Sequence, residues 1–168
     1  VTPVLLLDSN VWSHLVLSEL TLREKVAAQL ASLRLSYPGA ALATSALCVA
    51  ECLVAARRLS DAADVNRFET IFKAQFNQPD LMVVPVNDQV LDHAAALRAT
   101  RLKLAASRGS QMAGADGGKL LLPDAIIAAS CLEFIPSAIL VTENVADFCY
   151  LEDGVSKTIA DITVASIG

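Results

Sequence analysis

The sequence predicts a three-layer α/β/α domain built on a mainly parallel sheet of four or five strands. Three observations carry that expectation. Short, continuously apolar runs such as Leu5-Leu6-Leu7 recur along the chain, and a strand covered on both faces needs no polar alternation. One or two stretches of helical periodicity follow each run, giving the order βααβααβαβαβ, and parallel strands require such crossovers. Finally, 168 residues that are 54% hydrophobic with few aromatics suit an aliphatic core in one domain spanning residues 1–168.

Val4 to Leu7 is expected as the first strand. It ends abruptly on Asp8, after which Ser9 or Asn10 can cap a helix over Val11 to Leu20. Thr21 is the expected cap of a second helix, because Glu24 stands at capping-box spacing. Leu22, Val26, Leu30 and Leu33 give that helix an apolar face, and Tyr37-Pro38-Gly39 stops it. Ala40 to Thr44 reads as a second strand, with Ser45 capping a helix that runs to about Leu59. Glu51 is the one acid on that helix, among Leu47, Ala50, Leu53 and Val54.

A further helix is expected over Ala62 to Phe76 and a third strand over Leu81 to Val84. Asn87 or Asp88 then caps a long helix through Val90, Leu91, Ala94, Leu97 and Leu104, whose second half carries Arg98, Arg101, Lys103 and Arg108. His93 on this helix reads as a packing residue. Ser107 to Lys119 holds four glycines without apolar periodicity, so a mobile loop is expected there. Pro123 suits the first turn of the next helix and places Asp124 at its N-terminus. Ala138 to Thr142 forms the fourth expected strand, ending in Glu143-Asn144-Val145-Ala146-Asp147, and Lys157 to Val164 the fifth.

Composition narrows the function. The four cysteines, Cys48, Cys52, Cys131 and Cys149, form no CxxC pair, and only two histidines accompany them. That argues against a disulfide framework or a structural zinc site. A formal charge of -5 argues against a general polyanion-binding surface, although a metal can neutralise phosphate locally. No apolar stretch reaches the ~20 residues of a bilayer span. Val1-Thr2-Pro3 lacks the basic start of a signal peptide. The expectation is a cytoplasmic protein with no membrane contact.

Asp8, Glu51, Asp124 and Asp147 fall at comparable strand and helix ends. Each has a plainer reading on its own: a helix cap, a half-exposed helical glutamate, or an ordinary first-turn acid. Together they point elsewhere, because right-handed crossovers align the strand C-termini along one edge where such acids can converge. Carboxylates clustered without His or Cys ligands favour a hard divalent ion, Mg²⁺ or Mn²⁺. Mutual repulsion among the acids also calls for that ion.

At these residues the chain resembles the PIN-domain family, and within it the VapC-like ribonuclease toxins of bacterial toxin–antitoxin pairs. Leu7-Asp8-Ser9-Asn10-Val11 is similar to the family's strand-tip Asp with its Ser/Thr-Asn-Val. Val49-Ala50-Glu51-Cys52-Leu53 and Pro123-Asp124-Ala125-Ile126-Ile127 resemble its second and third acids. Val141-Thr142-Glu143-Asn144-Val145-Ala146-Asp147-Phe148 resembles its last motif. The resemblance implies a PIN-like fold and Mg²⁺-dependent (or Mn²⁺-dependent) RNA phosphodiester cleavage, with the toxin held inactive by an antitoxin, and a homodimer. It makes Asp8, Glu51, Asp124 and Asp147 the catalytic, metal-binding acids. Asn10, Thr142 and Asn144 support them, with Asn144 a second candidate for the fourth position. Arg98, Arg101 and Lys103 are candidates to hold the RNA backbone.

Two other readings compete. A non-catalytic PIN-like module would use the same fold to bind a protein, but all four acidic positions are kept. A haloacid-dehalogenase-type phosphatase also begins with a strand-tip Asp, but wants a second Asp where Asn10 stands and a later lysine after a strand.

Overall fold

Leu5, Leu6 and Leu7 have no exposed surface, and the reason is their place at the centre of the sheet. They belong to β1 (Val4–Leu7), which pairs in parallel with β2 (Ala41–Ser45) on one side and β4 (Ala138–Thr142) on the other. β3 (Leu81–Val84) and β5 (Thr163–Ser166) complete a five-stranded, wholly parallel sheet in the order β3-β2-β1-β4-β5. The computed structural model describes residues 3–108, 120–134, 138–148 and 163–167.

Successive residues of β1 point to opposite faces, as the strand period requires. Val4 and Leu6 join one core with Val90, Ala94 and Leu97 of α5 (Asp88–Arg108) and with Ala125 to Ala129 of α6 (Leu122–Leu132). Leu5 and Leu7 join the other, under α1 (Ser9–Leu17), α2 (Leu20–Ser36), α3 (Ala46–Arg57) and α4 (Ala62–Phe76). These are the two helical layers of an α/β/α stack. In the second core Trp12 meets Phe76 edge-on at 5.2 Å, and Phe76 stacks on Phe72 at 5.9 Å. Burying side chains of this size contributes about 1.5–3 kcal/mol each. Among the described residues no helix is long and apolar enough to cross a membrane, and Cys48, Cys52 and Cys131 are free thiols.

Several boundaries differ from the sequence expectation, each for a physical reason. The cap of α1 is Asp8 itself rather than Ser9 or Asn10, its carboxylate accepting from the Ser9 amide at 2.6 Å. Ser9 is already helical. That helix stops at Leu17, three residues early, because the Arg23 guanidinium donates to the carbonyls of Val16 and Ser18 and closes its C-terminus. The next helix starts at Leu20, so Thr21 lies inside it and the expected Thr21–Glu24 capping box does not form. Gly39, at φ 80°, makes the turn into β2, where only glycine avoids a Cβ clash. Ser45 caps α3 as expected, accepting from the Leu47 amide at 3.3 Å, but α3 ends at Arg57 rather than near Leu59.

On α5, Leu91 is 44% exposed while Val90, Ala94 and Leu97 carry the core face. That helix runs to Arg108, so Ser107 and Arg108 are helical, and the rest of the expected mobile loop, 109–119, lies outside the described residues. Of the expected fifth strand Lys157–Val164, residues 157–162 lie outside the described residues; the described strand is Thr163–Ser166, two residues past the expected end. Its register is set by pairing with Ile139 to Thr142, and the Ile167 amide extends the ladder to the Thr142 carbonyl at 3.1 Å.

Candidate metal centre

The chain leaves β1 toward β2 across one face of the sheet and returns to β4 from the other, where α5 and α6 lie. Neighbouring strands whose connections run to opposite faces open a crevice at their carboxyl ends. Asp8 stands at that point, directly after β1, with its amide held by the Val141 carbonyl at 3.0 Å.

Asp8 is 3% exposed, and its carboxylate is surrounded by donors. Oδ1 accepts from the Ser9 amide, while Oδ2 accepts from Asn10 Nδ2 at 3.0 Å and Thr142 Oγ1 at 2.7 Å. Asn10 Nδ2 also reaches Thr142 Oγ1 at 3.2 Å, so strand tip, helix start and the end of β4 are tied into one small network. Burial pushes the Asp8 carboxyl above its ordinary value, and the hydrogen bonds from Thr142, Ser9 and Asn10 pull the other way. Desolvation wins, because these donors do not replace the bulk water removed from a buried charge.

Glu51 comes to the same place from α3. Ligand atoms of Asp8, Cys48 and Glu51 all lie within 4.8 Å of one another. Cys48 and Glu51 are one helical turn apart, which puts both on one face. Cys48 is fully buried. Burial, and then the negative charge of Asp8, push its thiol well above the ordinary value. Two carboxylates and a buried thiol thus offer donors to one divalent cation, and a cation between Asp8 and Glu51 would offset the desolvation Asp8 suffers.

The other expected site residues fall as follows. Asp124 is half-buried in the first turn of α6 and stands outside the group of three. Asp147 lies in α7 (Val145–Phe148), one residue before the buried Phe148, and its side chain is outside the described set. Thr142 and Asn10 touch Asp8 directly, and the Asn144 amide donates to Thr142 Oγ1 at 3.0 Å. Arg98 is exposed on α5, and Arg101 and Lys103 follow on the same helix.

Cys48 is a buried core thiol that also lies beside both acids, a proximity that its spacing of three from Glu51 could have signalled. Sequence reasoning missed Trp12, whose indole donates to Thr44 Oγ1 at 3.1 Å while Thr44 donates to the Leu7 carbonyl at 2.9 Å. That chain braces the residue before Asp8.

A parallel α/β sheet whose carboxyl edge brings two acids and a thiol within reach of one divalent cation is the class of structure seen here. The chain belongs to the PIN-domain family: the PIN domain model matches residues 5–144. Among solved structures it is similar to a chain of FitAB bound to an IR36 DNA fragment, with TM-score 0.65 and 22% identity over 96% of this chain and 94% of that one. It is also similar to a chain of VapBC2 from Rickettsia felis bound to a promoter DNA fragment, with TM-score 0.64, 14% identity, and 98% and 99% coverage. VapBC-1 from nontypeable Haemophilus influenzae gives TM-score 0.63 at 19% identity, covering 97% of each chain. At these identities the likeness is one of fold. No curated protein matches the sequence significantly.

Proposed function

We propose that the protein is a Mg²⁺-dependent endoribonuclease, the toxin of a toxin–antitoxin pair, acting in the cytoplasm. The observation that carries this reading is the convergence of the Asp8 and Glu51 carboxylates beside the central strand, with a neutral thiol as the third group. Asp8 and Glu51 hold the ion, with Asp124 and Asp147 contributing from α6 and α7; Mn²⁺ substitutes for Mg²⁺. When bound, the ion polarises a phosphate oxygen and acidifies a water for in-line displacement. Ser9, Asn10 and Thr142 keep the Asp8 oxygens aimed while water is largely excluded from that carboxylate. Arg98, Arg101 and Lys103 hold the RNA backbone, giving affinity with little sequence preference.

The likeness to a toxin–antitoxin complex from Klebsiella pneumoniae and to a VapBC toxin–antitoxin member from Mycobacterium tuberculosis supports an antitoxin as partner, and we extend this to a homodimer of the toxin. A short adjacent reading frame encoding a DNA-binding protein is the genomic counterpart. The test is incubation of purified protein with single-stranded RNA, with Mg²⁺ and with chelator. Cleavage in Mg²⁺ alone is expected. No cleavage under either condition, with metal bound, would favour the non-catalytic interaction module. Hydrolysis of small phosphate esters without RNA cleavage would favour the phosphatase.

A further inference from the structure

The carboxylate nearest to Thr142 in sequence is Glu143, and it is not turned toward the metal centre. Its Oε2 lies 2.7 Å from His14 Nε2, on α1. His14 Nδ1 is in turn 3.0 Å from Ser18 Oγ, so a ring protonated on Nε2 donates to Glu143 and accepts from the hydroxyl. Asn10 lies one turn earlier on the same helix face. Its Oδ1 accepts from the Glu143 amide at 3.2 Å, while its Nδ2 reaches Asp8 and Thr142. One face of α1 therefore grips the turn between β4 and α7 twice, by backbone and by side chain. The amide plane of Asn10 couples that grip to Asp8.

We propose that His14 is a positioning residue. By holding Glu143 against α1 it fixes the β4–α7 turn, and through Asn10 and Thr142 it fixes the orientation of the Asp8 carboxylate. It also keeps an additional acid away from the ion. This rests on the reading of Asp8 as a metal-binding residue. The pair is partly open to water, with side-chain exposures of 20% for His14 and 48% for Glu143, so its direct contribution to stability is small. Orientation, not fold stability, is what it supplies.

The experiment uses the full chain, stripped of metal, with Mn²⁺ as the probe. His14→Ala is expected to leave the melting temperature nearly unchanged, to speed amide exchange at Glu143 and Asn144, and to weaken Mn²⁺ binding by about threefold, less than the loss of a direct partner of a metal ligand. His14→Gln, which retains a donor of similar reach, is expected to restore both. Glu143→Ala should match His14→Ala, and the double variant should lose no more than either single one. Where RNA is cleaved, the loss should fall on kcat with KM held. Unchanged Mn²⁺ affinity in His14→Ala, or failure of His14→Gln to restore it, overturns the proposal. If the wild-type chain binds no Mn²⁺, the metal reading fails instead. Amide exchange then decides the pair: faster exchange in His14→Ala upholds its hold on the turn, and unchanged exchange overturns it.

Discussion

Asp8 and Glu51 meet at one centre but are held in opposite ways. Asp8 is almost wholly buried, and three neighbouring groups donate to its oxygens at 3.0 Å or less. Glu51 is half-buried on a helix face, within a shallow cavity of about 370 Å³ lined by Leu47, Ala50, Val54, Ala55 and Arg58. The strand-tip acid has its position over-determined; the helical acid lies beside apolar side chains and Arg58 in an open cavity. A site of this kind has one fixed anchor and one adjustable arm. The anchor bears the desolvation cost, so it gains most from a cation.

That contrast can be broken at either end. The largest effect is expected from Asp8→Asn, which removes charge but little volume. RNA cleavage should fall by more than about 100-fold, beyond the loss typical when only an outer partner of a ligand is removed. Circular dichroism should show the fold intact, and cleavage at the wild-type rate would sink the assignment. Glu51→Gln should be milder, because the arm can be replaced in part by water. Mn²⁺ affinity should drop by about 10-fold by calorimetry, with no change in melting temperature without metal. Equal or greater loss than in Asp8→Asn would reverse the roles of anchor and arm.

The smallest effect concerns pH and metal-free stability. The folded state raises the Asp8 pKa, so its protonated form is the one favoured on folding. The stabilisation is fully present below the unfolded value of about 3.9 and is lost as pH rises through the folded value. Asp8→Asn should therefore gain in melting temperature relative to the wild type as pH rises from acid to neutral. Comparison with the variant also removes the opposite contribution of Glu69, whose carboxyl is held below its ordinary value by Arg57 and Lys73. Saturating Mg²⁺ at 100 times its Kd should add about 2.7 kcal/mol to the wild type alone. A gap that does not change with pH would show that Asp8 titrates alike in both states.

The anchor was more legible in the sequence than the arm. An apolar strand stopping on an acid is a local pattern, and β1, α4, β3 and β4 fall at their expected limits for the same reason. Of the groups around Asp8, Ser9 and Asn10 are sequence neighbours, while Thr142 lies 134 residues away and arrives through strand pairing, so only the family resemblance pointed to it. The capping box at Thr21 failed because the helix starts at Leu20 with Glu19 at its cap, while Arg23 in its first turn reaches back to the end of α1. The fifth strand runs two residues past its expected end, because its register comes from pairing with β4, which the sequence does not show locally. His14 gave no signal at all, since its meaning depends on Glu143 across the sheet edge.

The hydrogen-bonded chain from Trp12 through Thr44 to the Leu7 carbonyl has an optical consequence. This is the chain's one tryptophan, so every change in indole emission originates at a single, buried address. Its nitrogen is clamped by the same strand tips that present Asp8, and its backbone amide contacts the Asp8 carbonyl at 3.4 Å. A cation bound at the strand tips, or titration of Asp8, is therefore expected to shift indole emission in colour or yield, which a Mg²⁺ or pH titration followed by fluorescence would check. The protein carries its own spectroscopic gauge, without a label and within two bonded contacts of the group being watched.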